Sequence, residues 1–141
     1  MIGILVSGHG NFATGILSSL KLIVGDQEMI SGVDFLEEHG TEELKMNIKE
    51  ALKSLGNEIL VLTDIAGGSP FMNAVMIKQD LTDIHMEVVS GTNVPMLLDV
   101  ALRRESMNLN ELVEIAKESG VSGISNFKVR EEKEEEIEDG I

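Results

Sequence analysis

Four short apolar runs, each followed by a segment of helical periodicity, constrain this chain more than any other feature of its sequence. Residues 2–7 (IGILVS) and 58–63 (EILVLT) are almost unbroken, the pattern of strands buried on both faces. Residues 28–34 (EMISGVD) and 86–90 (MEVVS) read as two further, weaker strands. Between them the apolar residues recur at helical spacing. One helix is predicted from Phe12 to Val24, with Ile16, Leu17, Leu20 and Ile23 or Val24 on one face and Gly25 as its stop. A second is predicted over 42–55, capped by Thr41, with Leu44, Ile48, Leu52 and Leu55 in register before Gly56. A third runs to about Lys78, with Ser69 as N-cap and Pro70 in the first helical position. A fourth has Pro95 near its start, and a fifth runs from Asn108 or Asn110 through Glu118 to Gly120. Residues 126–129 (NFKV) read as a short last strand.

Strand and helix alternating at this interval call for one open, mostly parallel, doubly wound α/β sheet with right-handed crossovers and helices on both faces. The last strand would join its edge. Residues 1–129 then form one domain, and residues 130–141, where seven acids and two bases fall within REEKEEEIED, form an acidic C-terminal tail.

Composition narrows the function. The chain has 141 residues and a formal charge of −14, of which −9 lies outside the tail stretch. So acidic a body repels nucleic acid and anionic membrane surfaces and favours a basic protein partner. The absence of cysteine removes disulfides and thiolate metal sites. No apolar stretch is long enough for a membrane span and none begins like a signal peptide, so a cytoplasmic protein is expected. Neither a metal nor a cofactor is called for.

In such a sheet ligands bind outside the carboxyl ends of the strands. Three loops leaving those ends carry unusual chemistry: SGHG after the first strand, TDIAGGSP after the third and SGTNVP after the fourth. Two chemistries fit the first loop. Gly8, Gly10 and Ala13 match the spacing of a dinucleotide fingerprint, with Asp34 placed as a ribose-binding acid. Alternatively His9 is a nucleophile toward phosphorus, its ring aimed by a carboxylate on the other nitrogen. Asp64 is the natural partner if the first and third strands are neighbours. Gly67, Gly68 and Ser69, just before Pro70, would then give the phosphoryl oxygens a helix N-terminus and one hydroxyl. His39 and His85 are expected at the far end from this site as ordinary surface residues, which argues against a metal site of His9, Asp64 and His85.

The three blocks GILVSGHGNFATG, VLTDIAGGSPFMNA and VVSGTNVPMLLD, in this order and separation, resemble the IIA domain of the mannose family of the bacterial sugar phosphotransferase system (PTS) over roughly residues 1–129. Ala66, Met72 and Val94 depart from the family's usual pattern. The resemblance implies a phosphocarrier in which phosphorylated HPr donates to His9, which passes the group to an EIIB partner serving a membrane EIIC/EIID complex. It implies Asp64 as the histidine's hydrogen-bond partner, and Thr63, Gly68 and Ser69 lining the phosphate pocket. It also implies a homodimer whose C-terminal strand, here NFKV, crosses to the other subunit's sheet. The phosphotransfer subunit of the dihydroxyacetone kinase system has a similar domain, and the Gly-Gly-Ser-Pro-Phe block favours the sugar branch.

Overall fold

The computed structural model describes residues 1–129, and the acidic tail lies outside the described residues. The elements alternate along the chain: β1 (Gly3–His9), α1 (Phe12–Val24), β2 (Ile30–Phe35), α2 (Thr41–Leu52), β3 (Glu58–Thr63), α3 (Ser69–Asp80), β4 (His85–Val89), α4 (Val94–Arg103), a 3₁₀ turn (Arg104–Ser106) and α5 (Leu109–Ser122). The four strands form one parallel sheet in the order β2-β1-β3-β4. The α/β architecture expected from the alternation is therefore present.

The two apolar strands at the centre explain the layering. Side chains alternate across a strand, so Ile4 and Val6 of β1 and Leu60 and Leu62 of β3 point into one core, shared with Ala13, Ile16 and Leu20 of α1, Leu97 and Val100 of α4, and Leu112 and Ala116 of α5. Leu5, Ile59 and Val61 point the other way, onto Leu44, Ile48 and Leu52 of α2 and Ala74 and Ile77 of α3. Both faces of β1 and β3 are dry, which is why their sequences show no polar alternation. At the amino end of the sheet the buried Arg104 donates to the backbone carbonyls of Ile2, Met29 and Glu28, tying the turn after α4 to the start of β1 and the approach to β2.

Several local expectations shift. Gly68, not Ser69, is the N-cap of α3, and Gly40, not Thr41, that of α2, so both hydroxyl residues are first helical residues and make no cap bond. Asn108 caps α5 in a full capping box with Glu111, and the helix runs through Gly120 to Ser122. It passes Gly120 because that glycine packs a close helix contact rather than ending one: a Cβ there would lie 2.9 Å from Met96 Cε. Residues 126–129 form no strand here; Ile124, Phe127 and Val129 are exposed and pair with no strand among the described residues. A strand needs a neighbouring edge to satisfy its amides, and among the described residues this segment lies on none.

Candidate functional site

His9 closes β1, and the pairing of β1 with β3 sets Ser7 opposite Thr63, so the residues that follow, His9 and Asp64, meet at the carboxyl edge of the sheet. The Asp64 carboxylate holds His9 twice: Oδ2 accepts the His9 backbone N–H at 2.9 Å and lies 2.7 Å from ring Nδ1. Its other oxygen accepts the Ile65 amide at 2.8 Å. Burial pushes the Asp64 carboxyl pKa up, but the bonds from the His9 backbone, the His9 ring and the Ile65 amide outweigh it and hold the group below the ordinary value of 3.8. An ionised carboxylate only accepts, so in the neutral ring the proton sits on Nδ1 and the lone pair on Nε2.

That free edge has a defined neighbour. A Cβ on Gly68 would lie 2.7 Å from His9 Cε1 and 3.3 Å from Nε2, so the ring rests against the glycine that begins α3. Gly67, at φ +81°, turns the chain into that position. The first backbone N–H groups of a helix have no partner within it, and no side chain caps α3. Pro70 carries no N–H, which leaves the amides of Gly68, Ser69 and Phe71 and the Ser69 hydroxyl as donors at this end. The His9 side chain is 44% exposed while Asp64 is only 15% exposed, so the ring is open to a large partner and the carboxylate that holds it is not. Phe35 flanks the ring on the β2 side with centroids 5.8 Å apart.

Thr63 stands apart from the other residues expected around a phosphate. It has no exposed surface; its hydroxyl donates toward Val89 O at 3.5 Å and its carbonyl accepts both the amide and the hydroxyl of Thr92. Gly91 N in turn donates to Asp64 O at 3.0 Å. The SGTNVP loop thus clamps the backbone that carries Asp64, a supporting role that the sequence left unassigned. Thr63 belongs to that support, whereas Gly68 rests against the ring and Gly67 and Ser69 flank it along the chain.

Two other expectations change. The dinucleotide alternative puts a pyrophosphate at the N-terminus of α1, but the Asp34 carboxylate already occupies it, bonding Thr14 N at 3.0 Å. The acid expected to hold a ribose fills the phosphate position instead. His39 is not at the far end: it lies in the loop after β2, whose last residue pairs with His9, and its Nδ1 accepts the Leu36 amide. His85 does begin β4, at the opposite end of the sheet from His9. Among the described residues no cluster of three or more His, Cys, Asp or Glu could hold a metal ion.

The family model described as "PTS system fructose IIA component" (EIIA-man) matches residues 3–117. This chain belongs to the EIIA-man family. It is 33% identical over 132 residues to the PTS system mannose-specific EIIAB component of Escherichia coli K12, an alignment covering 92% of this chain and 40% of that protein. It therefore spans less than half the length of that relative. Against the PTS system fructose-specific EIIA component of Bacillus subtilis 168 the identity is 33% over 115 residues, 80% of this chain and 77% of the relative. The fold matches a crystal structure of a phosphotransferase system component EIIA from Streptococcus agalactiae with a TM-score of 0.85 and 36% identity, covering 89% of this chain and 97% of that one. It matches a mannose/sorbose-specific IIA subunit from Enterococcus faecalis with a TM-score of 0.83 and 27% identity, covering 94% and 98% of the two chains. No helix among the described residues is long and apolar enough to cross a membrane.

Proposed function

We propose that this EIIA-man chain is a phosphocarrier whose reacting atom is His9 Nε2. The Nε2 lone pair attacks the phosphorus of phospho-HPr, and the bond between phosphorus and the donor's histidine breaks, leaving its electron pair on that ring. His9 keeps its Nδ1 proton, and the positive charge it gains is balanced by Asp64, 2.7 Å away. The donors at the start of α3, including the Ser69 hydroxyl and the amides of Gly68 and Ser69, receive the phosphoryl oxygens. The reverse geometry hands the group to an EIIB partner, which serves a membrane EIIC/EIID complex for coupled sugar uptake and phosphorylation. Such a relay works in the cytoplasm, where HPr and EIIB meet it, and involves no nucleic acid.

The observation that carries this reading is the His9–Asp64 pair with the opposite edge of the ring against an uncapped helix N-terminus. Phosphoryl transfer leaves little covalent chemistry to the protein, so positioning and charge stabilisation suffice. The curated relatives named above are sugar-system components, which supports the sugar branch over the dihydroxyacetone-kinase one. A homodimer with exchanged C-terminal strands fits the exposed apolar residues Phe127 and Val129, which need an edge to pair with, and β4, which offers one. Incubation with phosphoenolpyruvate, enzyme I and HPr tests the central step. One acid-labile, base-stable phosphate per chain is expected, and none on His9→Gln; labelling that survives in His9→Gln overturns the assignment.

A further inference from the structure

Two helices begin beside His9, and they are finished differently. α3, against the ring, has no side-chain cap. α1, which follows His9 along the chain, gets none from its own N-cap residue Asn11, yet its first turn is not bare. Asp34, near the end of β2, sets Oδ1 3.0 Å from the Thr14 backbone N and Oδ2 2.6 Å from the Thr14 hydroxyl. Thr14 is the third residue of α1, whose amide an ordinary N-cap side chain would accept. A carboxylate from the neighbouring strand does that work and brings a negative charge to the positive end of the helix.

The same strand holds the other side of the turn. Asp34 lies opposite Gly8 and Phe35 opposite His9 in the β1–β2 ladder. Gly10 N donates to Phe35 O at 2.8 Å, with Gly10 at φ +58°. The segment His9–Gly10–Asn11 is thus tied to β2 on both sides, by a main-chain bond at Gly10 and by the Asp34–Thr14 pair just beyond.

We propose that Asp34 is a positioning residue for phosphoryl transfer: it fills the anion site at the start of α1, so that the group on His9 is received by the start of α3 alone. The inference rests on the phosphocarrier reading. An oxyanion near His9 would otherwise find the free amides of two helix starts, and binding at α1 would draw it away from Gly68 and Ser69. With Asp34 in place the Thr14 amide is taken and the α1 end carries a negative charge that repels anions. The loop carrying His9 is also held where the ring meets Gly68. Asp34 touches neither the ring nor the phosphorus; it acts through the helix end and the turn.

Two measurements on the full chain test this, with Asp34→Ala, Asp34→Asn and Thr14→Val beside the wild type. In a titration with inorganic phosphate followed by amide NMR, the Thr14 amide is expected to stay still in the wild type and to shift saturably in Asp34→Ala. In single-turnover transfer from phospho-HPr, Asp34→Ala is expected to lower the maximal rate about tenfold at an unchanged half-saturating donor concentration. Asp34→Asn, which keeps an acceptor for the Thr14 amide, should recover most of that rate, and Thr14→Val should lose about threefold. A wild-type rate in Asp34→Ala, or a loss confined to the half-saturating concentration, overturns the proposal. If Asp34→Ala fails to fold, a wild-type rate in Thr14→Val does the same. A Thr14 amide that stays still in Asp34→Ala sinks the Asp34 claim alone, whereas a wild type that takes no phosphate from phospho-HPr sinks the phosphocarrier reading beneath it.

Discussion

Asp64 Oδ2 accepts from His9 at both the backbone N and the ring Nδ1, at 2.9 and 2.7 Å, so one oxygen fixes both where the residue starts and which way its ring turns. A single hydrogen bond would leave the ring free to rotate about it. Two from one atom, backed by the Ile65 amide on the other oxygen, leave one orientation. The tautomer follows from the acceptor's chemistry, and Nε2 keeps its lone pair.

Asp64→Asn should therefore preserve the fold and damage the chemistry. An amide can donate to Nδ1 and stabilise the tautomer that carries its proton on Nε2. Transfer is expected to slow roughly 100-fold, with ring ¹⁵N shifts showing the proton moved to Nε2. Unchanged kinetics would count against the role of the tautomer.

The depressed Asp64 pKa fixes the sign of a pH effect on stability. The bonds from His9 and Ile65 favour the ionised form, so the folded pKa lies below 3.8. Their contribution is fully present above about pH 5 and is lost as the pH falls through the unfolded value toward the folded one. Denaturant unfolding of the wild type and Asp64→Asn from about pH 6 down to pH 3 should give curves that converge at the acid end. A difference that is flat with pH contradicts the linkage.

Gly68→Ala separates positioning from folding. Gly68 has φ −76°, which alanine adopts freely, so stability should change by less than about 1 kcal/mol. Its Cβ would fall 2.7 Å from His9 Cε1 and push the ring off its seat. Loss of transfer by at least about tenfold is expected with the melting curve nearly intact. A fully active alanine variant would show that the contact with α3 does not matter.

Arg104→Met tests the opposite end of the sheet. The substitution keeps the bulk but leaves the carbonyls of Ile2, Met29 and Glu28 without their donor in a buried place. A loss of about 2–4 kcal/mol in denaturant unfolding is expected, with transfer by the folded fraction unaffected. A loss under about 0.5 kcal/mol would mean that the carbonyls find other partners.

Much of this molecule is legible in its sequence. Ile4 to Val6 and Ile59 to Leu62 are apolar without alternation because helices cover both sides of β1 and β3, and that pattern needs no coordinates. His9 and Asp64 could be paired on paper because parallel neighbours bring their carboxyl ends together. What sequence misses depends on the third dimension. Asn11 has the chemistry of a cap but the cap comes from Asp34, 20 residues beyond Thr14. The SGTNVP loop carries unusual chemistry in the sequence, and its Gly91 and Thr92 prove to brace the backbone of Asp64 and Thr63. Ser69 and Thr41 are displaced by one position because glycine adopted the extended N-cap conformation just before each. The NFKV segment reads as a strand by composition, yet strand formation is a property of two segments, and among the described residues it pairs with none.

The central claim is that phosphorus rides on His9 Nε2 while Nδ1 stays with Asp64. Phosphorylating ¹⁵N-histidine-labelled protein through enzyme I and HPr and recording phosphorus–nitrogen coupling in the His9 ring tests it most directly. Coupling to Nε2, with Nδ1 still protonated, is the expected result. Phosphorus on Nδ1, or on a residue other than His9, would contradict it.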